Sequence, residues 1–361
     1  MRILISGICG FAGSSLTHAL LDDDSTLEII GFDNFSRPGS SLNVAPLRKR
    51  GVKLFHADVR AASDLESVSA VDWIIDAAAN PSVLAGIDGA STSRQLLEHN
   101  LYGTVNLLEL AKRDRAGFTL LSTSRVYAIP PLADLEVQAR DGAFRPAPNA
   151  KFPRGLSVRG IAEDFSTDPP LSLYGTSKRA SELLALEYGE TFGFPVWLNR
   201  CGVLAGAGQF GRADQGIFAF WIHAYKQRAP LRYIGFGGDG YQVRDALHPR
   251  DLVKVLRQQM RADGTEPRIV NFGGGAANTI SLAQLTQWCA QRFGPHEIGR
   301  DPEPRRFDLP WVVMDCELAR ATWNWQPVTP MESIIEEIAA HADSHPDWLE
   351  ISSALTVGDG E

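Results

Sequence analysis

The feature that most constrains this chain lies at its start. Residues 2–6 (RILIS) form a run of strand formers, the segment Gly7-Ile8-Cys9-Gly10-Phe11-Ala12-Gly13 follows, and a helical pattern continues to about Leu21. A strand that meets a helix through three glycines turns tightly, and glycine lets the backbone come close to a bound group. The amide hydrogens and the dipole of the helix start favour an anion. Asp33 ends the second strand-like run, 20 residues past Gly13. A carboxylate at that reach bonds a ribose diol, so the set predicts a dinucleotide site. Asp33 repels a 2′-phosphate, which favours NAD over NADP; Arg37 nearby is the residue that speaks for NADP. Asp58-Val59 closes the third strand, where either an adenine contact or a helix cap is expected.

Further strand-like runs at 27–32, 52–57, 71–77 and 118–122 alternate with helical patterns, clearest at 91–112. That rhythm predicts a parallel sheet covered on both faces. The expected fold class is α/β, a Rossmann-type doubly wound parallel sheet over residues 1–200 with a smaller mixed α/β substrate domain over 201–342. The chain is expected to cross back between the two. The rhythm breaks after Tyr127: residues 128–170 are rich in Pro, Arg, Asp and Gly, show no good helix, and read as a functional cover over the site or a disordered insert. A helix over 174–191 and a strand over 196–200 follow. Residues 343–361 form a polar tail that is expected to fray.

Charge narrows the partners. Lys plus Arg number 35 against 43 Asp plus Glu, a net charge of -8. Such a balance argues against nucleic acid or an anionic membrane as the main partner, while a local arginine cluster still suits a phosphate. Cys9, Cys201, Cys289 and Cys316 show no metal spacing and read as reduced thiols of a cytoplasmic protein. No apolar stretch is long enough for a membrane span, and no signal peptide is evident. His223 and His248 stand isolated, and neither a GxSxG nor an HExxH pattern occurs, so no metal is expected.

Tyr174 and Lys178 are spaced i, i+4 and share a helical face. An unassisted tyrosine is a poor base at neutral pH. An ammonium one turn away, beside an oxidised nicotinamide, lowers that pKa and makes a phenolate able to take the proton of a substrate hydroxyl. Thr123, at the end of the fifth strand, is placed to bond the same hydroxyl.

Taken together, GICGFAG, Asp33, Asp58, Asn100 within NLYGT, STSRVY and YGTSK resemble the extended short-chain dehydrogenase/reductase superfamily, the NAD-dependent epimerases and dehydratases of nucleotide sugars. The resemblance covers about residues 1–342. FDNFSRPG, GIAEDFSTDPPLSLYGTSK, GQFGRADQGIFAFW and GDGYQVRDALH are similar to segments of its CDP-tyvelose (CDP-paratose) 2-epimerase branch. The resemblance implies Thr123, Tyr174 and Lys178 as catalytic residues. It implies Gly7, Gly10 and Gly13 at the pyrophosphate and Asp33 at the adenosine ribose. Asp58 and Val59 fall at the adenine, Ala78 and Ala79 along the cofactor path, and Phe11, Asn34, Asn100, Tyr174 and Lys178 count as further cofactor-binding residues. Gln209, Phe210, Arg244 and Arg305 fall at the substrate. The chain departs from the pattern at Asp76, where a histidine is usual, at Val203, where an amide is usual, and at Ala128.

These readings imply a nucleotide-sugar epimerase, with hydride leaving a ring carbon and returning to its other face. Dehydratases of the superfamily carry an acidic pair after the threonine, whereas Ser124 and Arg125 stand here. Epimerisation at C2 of a CDP-tyvelose-like substrate is expected. A UDP-sugar 4-epimerase is the near alternative, and a catalytically silent NAD sensor or scaffold is the alternative of another class. The helices over 91–112 and 174–191 carry broad apolar faces, which core packing explains; the resemblance implies that the matching helices form the interface of a homodimer or homotetramer.

Overall fold

A computed structural model describes residues 1–87, 89, 91–212 and 215–353. Seven parallel strands make the main sheet: β1 (Arg2–Ser6), β2 (Glu28–Asp33), β3 (Lys53–His56), β4 (Trp73–Asp76), β5 (Gly117–Thr123), β6 (Val196–Cys201) and β7 (Ile269–Phe272). Their order is β7-β6-β5-β4-β1-β2-β3, so the order reverses beside β1. That reversal is where doubly wound sheets open a crevice for a ligand. The Rossmann-type expectation therefore holds.

Alternation along the strands explains how one sheet fills two cores. Ile3, Leu4 and Ile5 are all fully buried. Ile3 and Ile5 pack with Leu16 and Leu20 of helix α1 (Phe11–Asp23), whereas Leu4 packs on the other face with Leu107 and Leu108 of helix α2 (Gly103–Asp114). Each such side chain contributes about 1.5–3 kcal/mol by leaving water. The pattern expected over 91–112 is one helical rod in three parts: Ser93–Leu97, a π-helical stretch Glu98–Tyr102, and α2. Helix α3 (Leu173–Phe192) packs beside it and is capped by Ser172, whose hydroxyl accepts from Gly175 N at 3.1 Å.

The smaller part is built on Val243–Leu247, which pairs with Val203–Leu204, Thr279–Ser281 and Trp311–Val312. Its core holds Phe218, Trp221, Ile222, Leu285, Ile334 and Ile338.

Two expectations need correction. Residues 128–170 are not a cover. They form a short helix, Ile129–Ala133, and two hairpins, Val137–Arg140 with Ala143–Pro146 and Leu156–Ser157 with Gly160–Ile161. Leu156, Ile161 and Phe165 pack against Trp311, Val313 and Met314. Ile161 N donates to Val313 O at 2.8 Å, and Phe144 N to Tyr241 O at 2.8 Å. None of these residues lines the cleft described below. The segment's scattered apolar residues are spent on packing against the strand around Trp311–Met314, which composition alone does not reveal.

The tail also differs, as far as it is described. Trp348–Ser353 is a helix. Trp348 stacks on Phe210 with ring centroids 5.2 Å apart and donates to Gln209 O at 2.9 Å. Residues 354–361 of the expected frayed tail lie outside the described residues.

Beneath that helix sits a histidine cluster. His223 Nε2 and His341 Nδ1 are 3.3 Å apart, and His345 stacks on His341 at 4.1 Å. Burial pushes His223 down to about 3 and His341 down to about 4, from an ordinary 6.5, helped at His223 by the charges of His341, Lys226 and His345 and at His341 by His345. Both are neutral when folded, while the unfolded chain takes up these protons near pH 6.5. Their contribution is therefore complete above about pH 6.5 and is lost as pH falls towards 4. We expect the urea midpoint to fall across that window and His341→Phe to flatten the fall; an equal slope in both proteins refutes the assignment.

Candidate active site

The dinucleotide cradle begins where β1 ends. Gly7 has φ +58°, and Gly10 N closes the turn on Gly7 O at 2.9 Å. A Cβ on Gly13 would stand 2.5 Å from Gly7 O and 2.7 Å from Ile8 Cα, so only glycine fits. Helix α1 starts at Gly10 with no side-chain cap, which leaves its first amides facing the cleft. Asp33 accepts from Cys9 N at 3.1 Å and from Phe35 N at 2.8 Å. Burial pushes its carboxyl up, and the amide hydrogens of Phe35, Cys9 and Gly10 oppose that rise. Opposite, Ser6 Oγ donates to Asp76 Oδ1 at 2.8 Å and accepts from Ala77 N and Ala78 N, both at 3.0 Å. Thr104 takes the second oxygen of Asp76 at 2.8 Å. Asp76 is thus an anchor for the loop that brings Ala78 against Gly7.

Of the residues expected at the cofactor, Gly7, Gly10, Phe11, Gly13, Asp33, Asn34, Val59, Ala78, Ala79 and Tyr174 line one cleft. Three expected members do not line it. Asp58 is held by Arg60 and by Asn34 Nδ2 at 3.1 Å, and these partners keep its carboxyl well below the usual range. Asn100 pins the loop after β4 to α3, accepting from Asn80 N at 2.8 Å and donating to Ser177 Oγ at 3.2 Å. Lys178 lies below the surface of the wall, 2% exposed. Arg37 lines the cleft but reaches across it, donating to Gln215 Oε1 at 2.7 Å and to Phe210 O. The guanidinium that spoke for NADP is therefore spent on bridging the two sides.

The cleft continues past Thr123 and Tyr174 to Gln209, Phe210, Arg244 and Arg305, in a volume of about 700 Å³. Among the described residues, its wall carries six arginines and two carboxylates, Asp33 and Asp308. Arg244 donates to Asp308 Oδ1 at 2.8 Å and to Leu309 O at 2.9 Å, so it also braces the wall. Gln209 Nε2 holds Leu204 O at 2.7 Å.

Tyr174 opens α3 and is 6% exposed. Burial pushes its phenol up; the hydrogen bond with Thr123 and the charge of Arg125 pull it down, and Cys201 raises it. Burial lowers the Lys178 ammonium, while Asp76, Glu182 and Cys201 support it. The sequence reasoning missed the buried brace behind this pair. Glu182 takes two hydrogen bonds from Arg200, at 2.9 and 2.7 Å, and one from Ser122 Oγ at 2.6 Å. It also missed the far wall, formed by Ile217, Phe218, Trp221, Leu231, Ile280 and Leu282. The apolar run IFAFW was the available signal for part of it.

Comparison with known proteins agrees with this geometry. The NAD dependent epimerase/dehydratase family matches residues 3–273. A CDP-paratose 2-epimerase of Salmonella typhi is 28% identical over 298 residues, 79% of this chain and 82% of its own length. A UDP-glucuronate 4-epimerase of Thermodesulfobacterium geofontis is 26% identical over 340 residues, 91% and 92% of the two chains. The crystal structure of a Bacillus cereus UDP-glucuronic acid 4-epimerase, bound to UDP-glucuronic acid and NAD, superposes with a TM-score of 0.75 at 22% identity. It covers 95% of this chain and 99% of its own, and shows the shared fold.

The cradle is the part most sensitive to a single methyl group. Gly13→Ala forces backbone against backbone, an overpacking cost of about 1–3 kcal/mol. We expect NAD affinity, measured by calorimetry, to fall at least about tenfold, the equivalent of ~1.4 kcal/mol. Unchanged affinity would mean that the dinucleotide lies elsewhere.

Proposed function

We propose, for a chain that belongs to the NAD-dependent epimerase/dehydratase family, that it inverts one ring carbon of a nucleotide-diphosphate sugar. The cofactor is NAD. The observation that carries the epimerase reading is the absence of an acidic pair from the described cleft wall. Asp33 stands at the ribose end, and Asp308 is tied to Arg244 and to Gln242 Nε2 at 3.1 Å. Ser124 and Arg125 follow Thr123. Elimination of water needs a positioned acid and base, and this wall offers neither beside Tyr174.

When bound, NAD supplies a hydride acceptor that also gives the hydride back. The chain's own residues do the rest. Gly7, Gly10, Gly13 and Asp33 hold the dinucleotide. Arg305 and Arg244 hold the substrate diphosphate through charge-assisted hydrogen bonds. Thr123 orients the substrate hydroxyl. Tyr174 takes its proton at the phenolic oxygen and later returns it, and Lys178 supports the charge from the same helical face. Between the two transfers the sugar is a ketone, and inversion requires it to present its other face.

The finer reading is a 2-epimerase acting on a CDP-tyvelose-like sugar. FDNFSRPG and GQFGRADQGIFAFW support it, since Asn34, Arg37, Gln209, Phe210 and Gln215 from these segments all line the cleft. A UDP-sugar 4-epimerase shares the same machinery. Deuterium at C2 or at C4 separates the two: the label that exchanges with enzyme-held NAD marks the carbon. Tyr174→Phe should keep NAD and lower kcat by about 10²–10⁴-fold, the range of general-base catalysis. Full turnover by this variant refutes the mechanism. No turnover of any nucleotide sugar by the parent protein favours the NAD sensor.

Among the described residues, no helix is long and apolar enough to cross a membrane. We place the protein in the cytoplasm as a homodimer or homotetramer. Exposed Tyr102, Leu183 and Phe192, at 60%, 53% and 42%, support an interface over the π-helical stretch Glu98–Tyr102 and α3. Sedimentation should give at least a dimer, and Leu183→Glu should yield monomers.

A further inference from the structure

We propose that Trp348 is a positioning residue for cofactor retention: through Phe210 it sets a strap, residues 209–212, which Arg37 ties across the cleft so that the dinucleotide leaves slowly. This rests on the reading of the cleft as the site of an epimerase that lends a hydride and takes it back within one turnover.

The strap is held by successive carbonyls. Gln209 O accepts from Trp348 Nε1 at 2.9 Å, and Gly211 O accepts from Ser352 Oγ at 3.3 Å. Both donors stand on the helix Trp348–Ser353. The carbonyl between them, Phe210 O, accepts from Arg37 instead. Each peptide group is a rigid plane, so fixing its two neighbours leaves the middle carbonyl little freedom to turn. The same helix grips the side chain: the Phe210 and Trp348 rings stack at 5.2 Å, with 17° between their planes. Trp348 in turn stands edge-on to His341 at 4.6 Å, which roots it on the helix Met331–Ser344.

From the other side, Gly39 completes the contact. It has φ +84°, and a Cβ there would lie 2.9 Å from both Phe210 Cε1 and Ile351 Cγ2. The loop after β2, the strap and the helix Trp348–Ser353 therefore meet at one point. Arg37, two residues before Gly39, donates to Gln215 Oε1 at 2.7 Å as well as to Phe210 O. Arg37, Phe210 and Gln215 all line the cleft, and Arg37 follows closely on Asp33, Asn34 and Ser36, which line its ribose end. The loop after β2 belongs to the cofactor half and the strap to the substrate side, so the tie must break before the cleft can widen here. A charge-assisted hydrogen bond across a cleft slows its opening, and with it the release of a ligand. Trp348 is 4% exposed and does not line the cleft, so its influence passes through the strap.

The test is the release of radiolabelled NAD from the loaded full chain into excess unlabelled NAD. Trp348→Ala and Arg37→Met should each speed release about tenfold, the loss expected when a hydrogen bond from a charged donor is broken. Trp348→Phe keeps a ring on Phe210 but loses the donor to Gln209 O, and its rate should fall between those of the parent and Trp348→Ala. Because both residues act through one strap, the double variant should release NAD no faster than the faster single variant. A merely structural role for Trp348 would not couple to Arg37 in this way. Unchanged release in either single variant overturns the proposal. So do single effects that multiply in the double variant, which would mean that Arg37 holds the dinucleotide on its own account. A raised KM for the nucleotide sugar with NAD release unmoved overturns it too, and would make the strap a wall for the substrate alone. Should Trp348→Ala not fold, Trp348→Phe and Arg37→Met carry the same cycle. NAD release needs no turnover, so the two readings fail separately: a parent protein that holds NAD through the strap and converts no nucleotide sugar refutes the epimerase reading and leaves the strap standing.

Discussion

Backbone on backbone at the start of α1 is the contact on which the rest depends. Gly13 sits where a methyl group would overlap Gly7 O. That closeness draws α1 down onto β1 and aims its uncapped amides into the crevice at the sheet's reversal. It also places Cys9 N on the Asp33 carboxylate. Across the crevice, Ser6 ties the loop after β4 by two amides, so both walls take their positions from the same strand. An error of an ångström in this turn would be transmitted to every group on the wall, because packed interiors are stiff.

Charge gives the crevice its chemistry. The whole chain carries -8, yet the cleft wall has an excess of arginines. The excess suits an anion such as a diphosphate and starves the site of carboxylates near Tyr174. Deeper in, the polar groups are paired instead. Glu182 of α3, fully buried, is satisfied by Arg200 and Ser122, so this brace carries no bare charge. Pairing of this quality is what makes buried ions tolerable. The contrast between a compensated layer below and an under-compensated wall above lets one helix present Tyr174 to the cleft and Lys178 to the interior.

Much of the frame could be read in advance, since strand runs such as RILIS and the spacing from Gly13 to Asp33 are local patterns. The first strands begin and end within about two residues of their expected limits. Residues 128–170 resisted the same reasoning. Their apolar positions follow neither a period of two nor one of 3.6, and hairpins this short declare themselves only when Val313 and Tyr241 supply partners. The tail after residue 343 misled for a related reason: Trp348, Leu349 and Ile351 are set among polar residues, and the value of Trp348 comes from Phe210, far away in the chain.

Within the site, the sequence by itself determined which residues are present and their order along the chain: three glycines before a helix, an acid after a strand, Thr123, and Tyr174 one turn before Lys178. These follow from short-range geometry, which spacing encodes. Tertiary structure alone decided which of them meet. It put Asn100 to work pinning a loop, turned Arg37 into a bridge and laid the Arg125 carbonyl against Gly175, next to Tyr174. Such pairings join residues tens of positions apart or on different elements, and the packing of whole layers, not any local rule, sets their distances.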